Sequence, residues 1–157
     1  MTDEVALKTA EENKPIEIDV ADIDAADESD MTVVVNGRLT TWVWTFAGPG
    51  HPKGIAQSNR LSRQRLHEDR EKEQSRVNGK KWKADEETPD EMRKKNANYV
   101  VERLLRWSPI KLSGEVLTFS PDAAMKLLLD PRKVSLLVQA LEFLNEDKSF
   151  IKRVATN

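Results

Sequence analysis

Apolar positions along this chain change their spacing several times, and each change marks a different kind of element. The run Thr32-Val-Val-Val-Asn36-Gly37-Arg-Leu-Thr-Thr-Trp42-Val-Trp44-Thr-Phe46 sets an Asn-Gly pair between two β-favouring segments. That pair suits a two-residue turn with left-handed backbone, so the pattern predicts a β-hairpin over 31–47. Alternation places Trp42, Trp44 and Phe46 on one face, which needs a cover that later helices can supply. A shorter alternation, Ile16-Glu-Ile-Asp-Val20, suggests a further short strand.

Gly48-Pro-Gly50-His-Pro52-Lys-Gly54 ends the second strand. The polar segment after it predicts a charged helix over 55–77. Its Leu61, Leu66 and Val77 make no continuous stripe, so that helix is expected to be exposed, frayed or completed by a partner, with Asn78-Gly79 ending it. Thr88-Pro89-Asp90-Glu91 is a capping box with proline in the first turn. Ala97, Val100, Val101, Leu104 and Leu105 then recur at helical spacing, predicting a helix to about Arg106, with Trp107 closing the run before Pro109.

A turn or short hairpin is expected from Ile110 to Phe119, centred on Ser113-Gly114. Ser120-Pro121-Asp122 and Asp130-Pro131 start two more helices, the last ending near Phe150. That last helix has apolar residues on two sides: Val134, Leu137, Val138, Leu141 and Leu144 on one, Leu136, Ala140 and Phe143 on the other. Both sides must be covered, by this chain or by a partner.

The fold class that follows is α+β, mainly helical, with an N-terminal β-hairpin, a long charged helix and a compact helical module over 88–150. Residues 1–30 read as an acidic, disordered tail, since they lack the apolar area to offset the entropy of ordering, and 31–157 as a single domain. Charge sharpens this division. The net charge of −2 hides a balance of −9 over residues 1–30 and of +6 over residues 51–83.

Candidate chemistry is sparse. With no cysteine, disulfides, thiolate nucleophiles and sulfur-ligated metals are excluded. The glycine-rich loop lacks the Gly-Lys-Ser/Thr end of a phosphate cradle, and Pro49 and Pro52 remove two backbone donors. His51 and His67 have no second ligand at metal-binding spacing, and no serine lies in a nucleophile elbow. No catalytic residue, metal or cofactor is expected, and the protein is read as not an enzyme. Trp82 among Lys80, Lys81 and Lys83 is the one nucleic-acid candidate. Glu68, Asp69, Glu71 and Glu73 interrupt the basic stretch, so nucleic acid is not the expected partner. The opening Met1-Thr-Asp-Glu-Val-Ala-Leu-Lys8 lacks a secretory signal, and no apolar run reaches membrane-spanning length, so a soluble, intracellular product without a membrane partner is expected.

The helix running into Arg103-Leu-Leu-Arg-Trp107-Ser-Pro-Ile, the turn at Gly114, Phe119-Ser-Pro-Asp-Ala-Ala, Leu127-Leu-Leu-Asp-Pro131 and the terminal Glu146-Asp-Lys-Ser-Phe150 together resemble small tailed-phage proteins grouped with the tail assembly chaperones. The resemblance implies a non-enzymatic protein of the host cytoplasm that coats hydrophobic helices of the tape measure protein and helps recruit tail tube subunits. A chaperone for amphipathic helices needs an apolar groove rimmed by charge. The residues expected to form one are Trp107, Phe119, Leu137, Leu141, Phe143 and Leu144, with burial in the chain's own core as the competing expectation. Alternative roles are a virion structural or decoration protein, or a phage-encoded inhibitor or nucleic-acid mimic that uses the acidic tail against a host protein. A homo-oligomer is compatible with each.

Overall fold

Asn36 and Gly37 both take positive φ, 52° and 75°, making the left-handed turn that their sequence predicts. They join strand β1 (Glu28–Val35) to β2 (Arg38–Ala47), and the two pair antiparallel with Met31 opposite Trp44. The computed structural model describes residues 13–152, and Ala25–Ile151 form one compact unit. Its first strand thus begins inside the stretch read as tail. Of that stretch, residues 1–12 lie outside the described residues.

The segment before Ala25, taken by itself, holds one 3-10 turn at Val20–Ile23. Asp19 caps it by accepting from the Ala21 N–H, while Asp22 accepts from the Asp19 N–H. No strand forms at Ile16–Val20. These acids give the backbone local partners that compete with a strand ladder.

Helix α1 (Pro52–Val77) follows β2, with His51 as its cap and Pro52 in its first turn. It starts three residues earlier than the charge pattern suggested, because proline is tolerated where helical N–H groups have no partner anyway. Two close approaches fix the loop before it. A Cβ on Gly48 would lie 1.9 Å from the Ala26 carbonyl oxygen, and one on Gly54 would lie 2.1 Å from that of Gly48. Gly48 and Gly54 therefore serve packing.

Helix α2 (Pro89–Arg103) has the predicted Thr88/Glu91 capping box, with both reciprocal hydrogen bonds formed. It stops at Arg103, short of the expected Arg106. Leu104–Trp107 continue directly as strand β3, which pairs with the second edge of β2, Phe46 opposite Leu104 and Trp44 opposite Trp107. The sheet order is β1-β2-β3. Pairing there satisfies backbone groups of β2 that would otherwise be buried beneath the helices without partners.

Beyond β3, strands β4 (Lys111–Leu112) and β5 (Glu115–Val116) form the small hairpin, turned by Ser113 and Gly114 at φ of 51° and 85°. Helix α3 (Pro121–Leu129) is capped by Ser120. A 3-10 turn at Pro131–Lys133 leads into α4 (Val134–Asn145), and a last 3-10 turn spans Asp147–Phe150. The final helix thus ends earlier than the pattern predicted, at Asn145. With four α-helices over a small sheet among the described residues, the fold is α+β and mainly helical.

The core lies between the sheet and the helices. Trp44, Phe46, Leu104, Leu128, Val33 and Val100 are its largest fully buried side chains, each contributing roughly 1.5–3 kcal/mol on burial. Trp42, Trp44 and Phe46 do share the covered face, as their spacing predicts.

Candidate functional site

Trp107 ends β3 inside an aromatic cluster. Its ring centroid is 5.7 Å from Trp42 and from Trp44, and 5.0 Å from Phe119, which meets it edge-on. Its indole Nε1 donates to the Leu117 carbonyl oxygen at 3.1 Å, tying the β4–β5 segment to the sheet. Phe143 lies between Phe46 and Phe150, at 5.5 and 5.6 Å. Leu137 and Leu144 are buried, and Leu141 is partly buried against the same core.

The six residues expected to form a partner groove are packed against this chain's own core, Trp107, Leu137 and Leu144 buried and Phe119, Leu141 and Phe143 partly buried. The physical reason is the apolar sheet face: Met31, Val33, Trp42, Trp44 and Phe46 need covering, and the helical module covers them. Helix α4 divides differently from the two stripes read in the sequence. Leu136, Leu137, Ala140 and Leu144 turn inward, while Val134 and Val138 stay exposed.

A different concavity is open at the surface. Leu112 and Leu117 of the small hairpin region face Ala123 and Leu127 of α3 across a cleft of about 350 Å³. Its polar edge is formed by Ser120, Asp122, Lys126, Asp130 and Lys133, so acid and base alternate around an apolar floor. Val116 beside it is 69% exposed and Leu112 is 45% exposed.

Local structure holds this rim in place. The Ser113-Gly114 turn pairs Leu112 with Glu115, and Asp130 caps the 3-10 turn by accepting from the Arg132 N–H at 3.0 Å. Asp130 also binds the Arg132 guanidinium and the Lys133 ammonium, the latter at 2.7 Å. The side chains of Arg132 and then Lys133 hold its carboxyl well below the usual carboxylate range. Asp130 thus stays charged across the physiological range and anchors Lys133 at the edge of the cleft.

The other chemical candidates have structural partners. His51 Nδ1 accepts from the Lys53 N–H at 3.1 Å, and His67 lies 3.0 Å from Glu71. Among the described residues no group of three or more His, Asp or Glu could hold a metal ion. Lys72 Nζ sits 4.6 Å from the Trp82 ring centroid, which occupies the one aromatic of the basic stretch. No helix among the described residues is long and apolar enough to cross a membrane.

The sequence marked the cleft only weakly, since its parts come from a hairpin, a helix and a 3-10 turn, each with an ordinary local pattern. Charge alternation from Asp122 to Lys133 was the only signal available. Compared with known family models, curated proteins and solved structures, the chain matches none.

Proposed function

We propose that the chain is a non-enzymatic assembly chaperone of the tailed-phage type, which holds hydrophobic helices of a tape measure protein in a soluble state and helps recruit tail tube subunits. The resemblance of residues 96–152 to that group motivates the reading. The observation that supports it best is the cleft between the small hairpin and α3, with Leu112, Leu117, Ala123 and Leu127 as floor and charge around them. A cleft of this kind accepts one apolar ridge of an amphipathic helix and leaves the polar face of that helix in water.

The role of the buried groove candidates changes accordingly. Trp107, Phe119, Leu137, Leu141, Phe143 and Leu144 support the cleft from within and do not touch the partner. The charged helix α1, exposed at every position from Ser62 to Gln74, keeps the complex soluble. Co-expression with a tape measure protein tests the reading: its soluble fraction rises and the two proteins co-purify. A tape measure protein that stays insoluble, with no complex recovered, contradicts it.

A further inference from the structure

Arg103 is only 8% exposed, yet no carboxylate pairs with it among the described residues. Its Nε and Nη2 both donate to the Ala47 carbonyl oxygen, at 2.9 and 2.7 Å, and its guanidinium lies 4.9 Å from the Phe150 ring centroid. These contacts use one edge and one face. A guanidinium carries five N–H donors, and the remaining edge has the Tyr99 side chain as a further hydrogen-bond partner but no counter-charge.

That edge borders a cleft of about 360 Å³ between α1 and α2. Ser58, Ser62 and Arg65 line it from α1, at the spacing that puts residues on one helix face, and Tyr99 and Arg103 line it one turn apart on α2. Two guanidiniums and three hydroxyls converge there, and no acidic side chain is in the lining. Burial pushes the Arg103 pKa down, and the neighbouring Tyr99 opposes that shift. A desolvated cation without a counter-charge is costly, and an entering anion lowers that cost.

We propose that the cleft between α1 and α2 is a carboxylate-binding site, in which Arg103 and Arg65 bind the anion and Ser58, Ser62 and Tyr99 complete its hydrogen bonds. A guanidinium fork matches a carboxylate with two parallel hydrogen bonds. Leu61 and Pro49 in the same lining suit the methylenes of a slender side chain. A phosphodiester, flanked on both sides by sugars, is too broad to bring its charge to a guanidinium this recessed. The carboxylate comes from a glutamate side chain or from a chain terminus, and both present the same chemistry.

Peptide titration of the full chain at low salt, followed through the Arg103 Nε–Hε resonance, tests the assignment. One probe is a peptide with a single glutamate and both ends blocked; the other has neutral side chains and a free C-terminal carboxylate. A saturable shift is expected with at least one of them, and which one responds identifies the source. Arg65→Gln, at an exposed position, should weaken that binding about tenfold or more with an unchanged circular dichroism spectrum. Absence of a saturable shift with both peptides overturns the proposal. So does a response to inorganic phosphate alone, or binding that Arg65→Gln leaves intact.

Discussion

The side-chain amide of Gln139 takes the place of a neighbouring strand for Val34. Its Oε1 accepts from the Val34 N–H at 2.8 Å, and its Nε2 donates to the Val34 carbonyl oxygen at 2.9 Å. Helix α4 thereby closes part of the outer edge of β1, which would otherwise offer unpaired groups to another chain. The Ser29 hydroxyl, bonded to the Ser149 carbonyl oxygen, and the Ala26 N–H, bonded to that of Phe150, continue the closure.

Gln139→Ala removes both bonds to Val34 and should destabilise the fold by about 1–3 kcal/mol, the usual penalty for partly buried groups left unpaired. Gln139→Glu should recover only part of this at neutral pH, because a carboxylate accepts but cannot donate. Urea unfolding gives the stability order, and light scattering shows whether the opened edge promotes self-association.

Adjacent positions on α4 separate core from surface. Leu137 is 5% exposed and Val138 is 45% exposed. Leu137→Asp buries a charge and loses packing worth roughly 2–5 kcal/mol, a large share of the 5–15 kcal/mol typical of a whole domain. It should abolish cooperative unfolding, whereas Val138→Asp should shift the midpoint little. Circular dichroism during thermal unfolding reads both.

Two tryptophans in the same cluster differ in their polar atoms. Trp107 Nε1 has the Leu117 carbonyl oxygen as acceptor, and the buried Trp44 Nε1 has no partner. Trp107→Phe should therefore speed amide exchange from Ile110 to Leu117, at a hydrogen-bond cost of about 1 kcal/mol. Trp44→Phe loses ring volume but no hydrogen bond, and should leave exchange in that segment unchanged relative to the rest of the fold.

Much of this architecture was legible because local signals agreed with the tertiary structure. Asn36-Gly37 and Ser113-Gly114 mark their turns, and Thr88, Ser120 and Asp130 mark their caps, through interactions within a few residues. Strand β3 was not legible. Val100, Val101, Leu104 and Leu105 fit a continuing helix equally well, and only the unpaired edge of β2, more than fifty residues away, decides for a strand. The groove residues make a related point: periodicity shows two apolar sides on α4, but not which chain covers them, and Val134 and Val138 stay exposed. The two clefts depend on residues brought together from separate elements and leave almost no local trace.

Acid should weaken the segment between α3 and α4. With the folded-state pKa of Asp130 held below its unfolded value of ~3.9, its stabilising contribution is complete above that pH and is lost as the pH falls toward the folded value. Asp130→Asn removes this contribution. Its melting temperature should lie below that of the unaltered protein at pH 7, and the gap should narrow as the pH is lowered from ~4 toward 2. A gap independent of pH would assign the effect to the lost cap geometry alone.

The partner cleft can be tested at a position that the fold does not need. Leu112 is 45% exposed on the small hairpin and lines the cleft floor, so Leu112→Asp should fold normally. The decisive measurement is the affinity of the purified chain, with and without this substitution, for a peptide spanning an amphipathic helix of the tape measure protein. Saturable binding that Leu112→Asp weakens at least tenfold, with an unchanged melting temperature, is the predicted result. No binding by the unaltered chain, or equal binding by both, would contradict it.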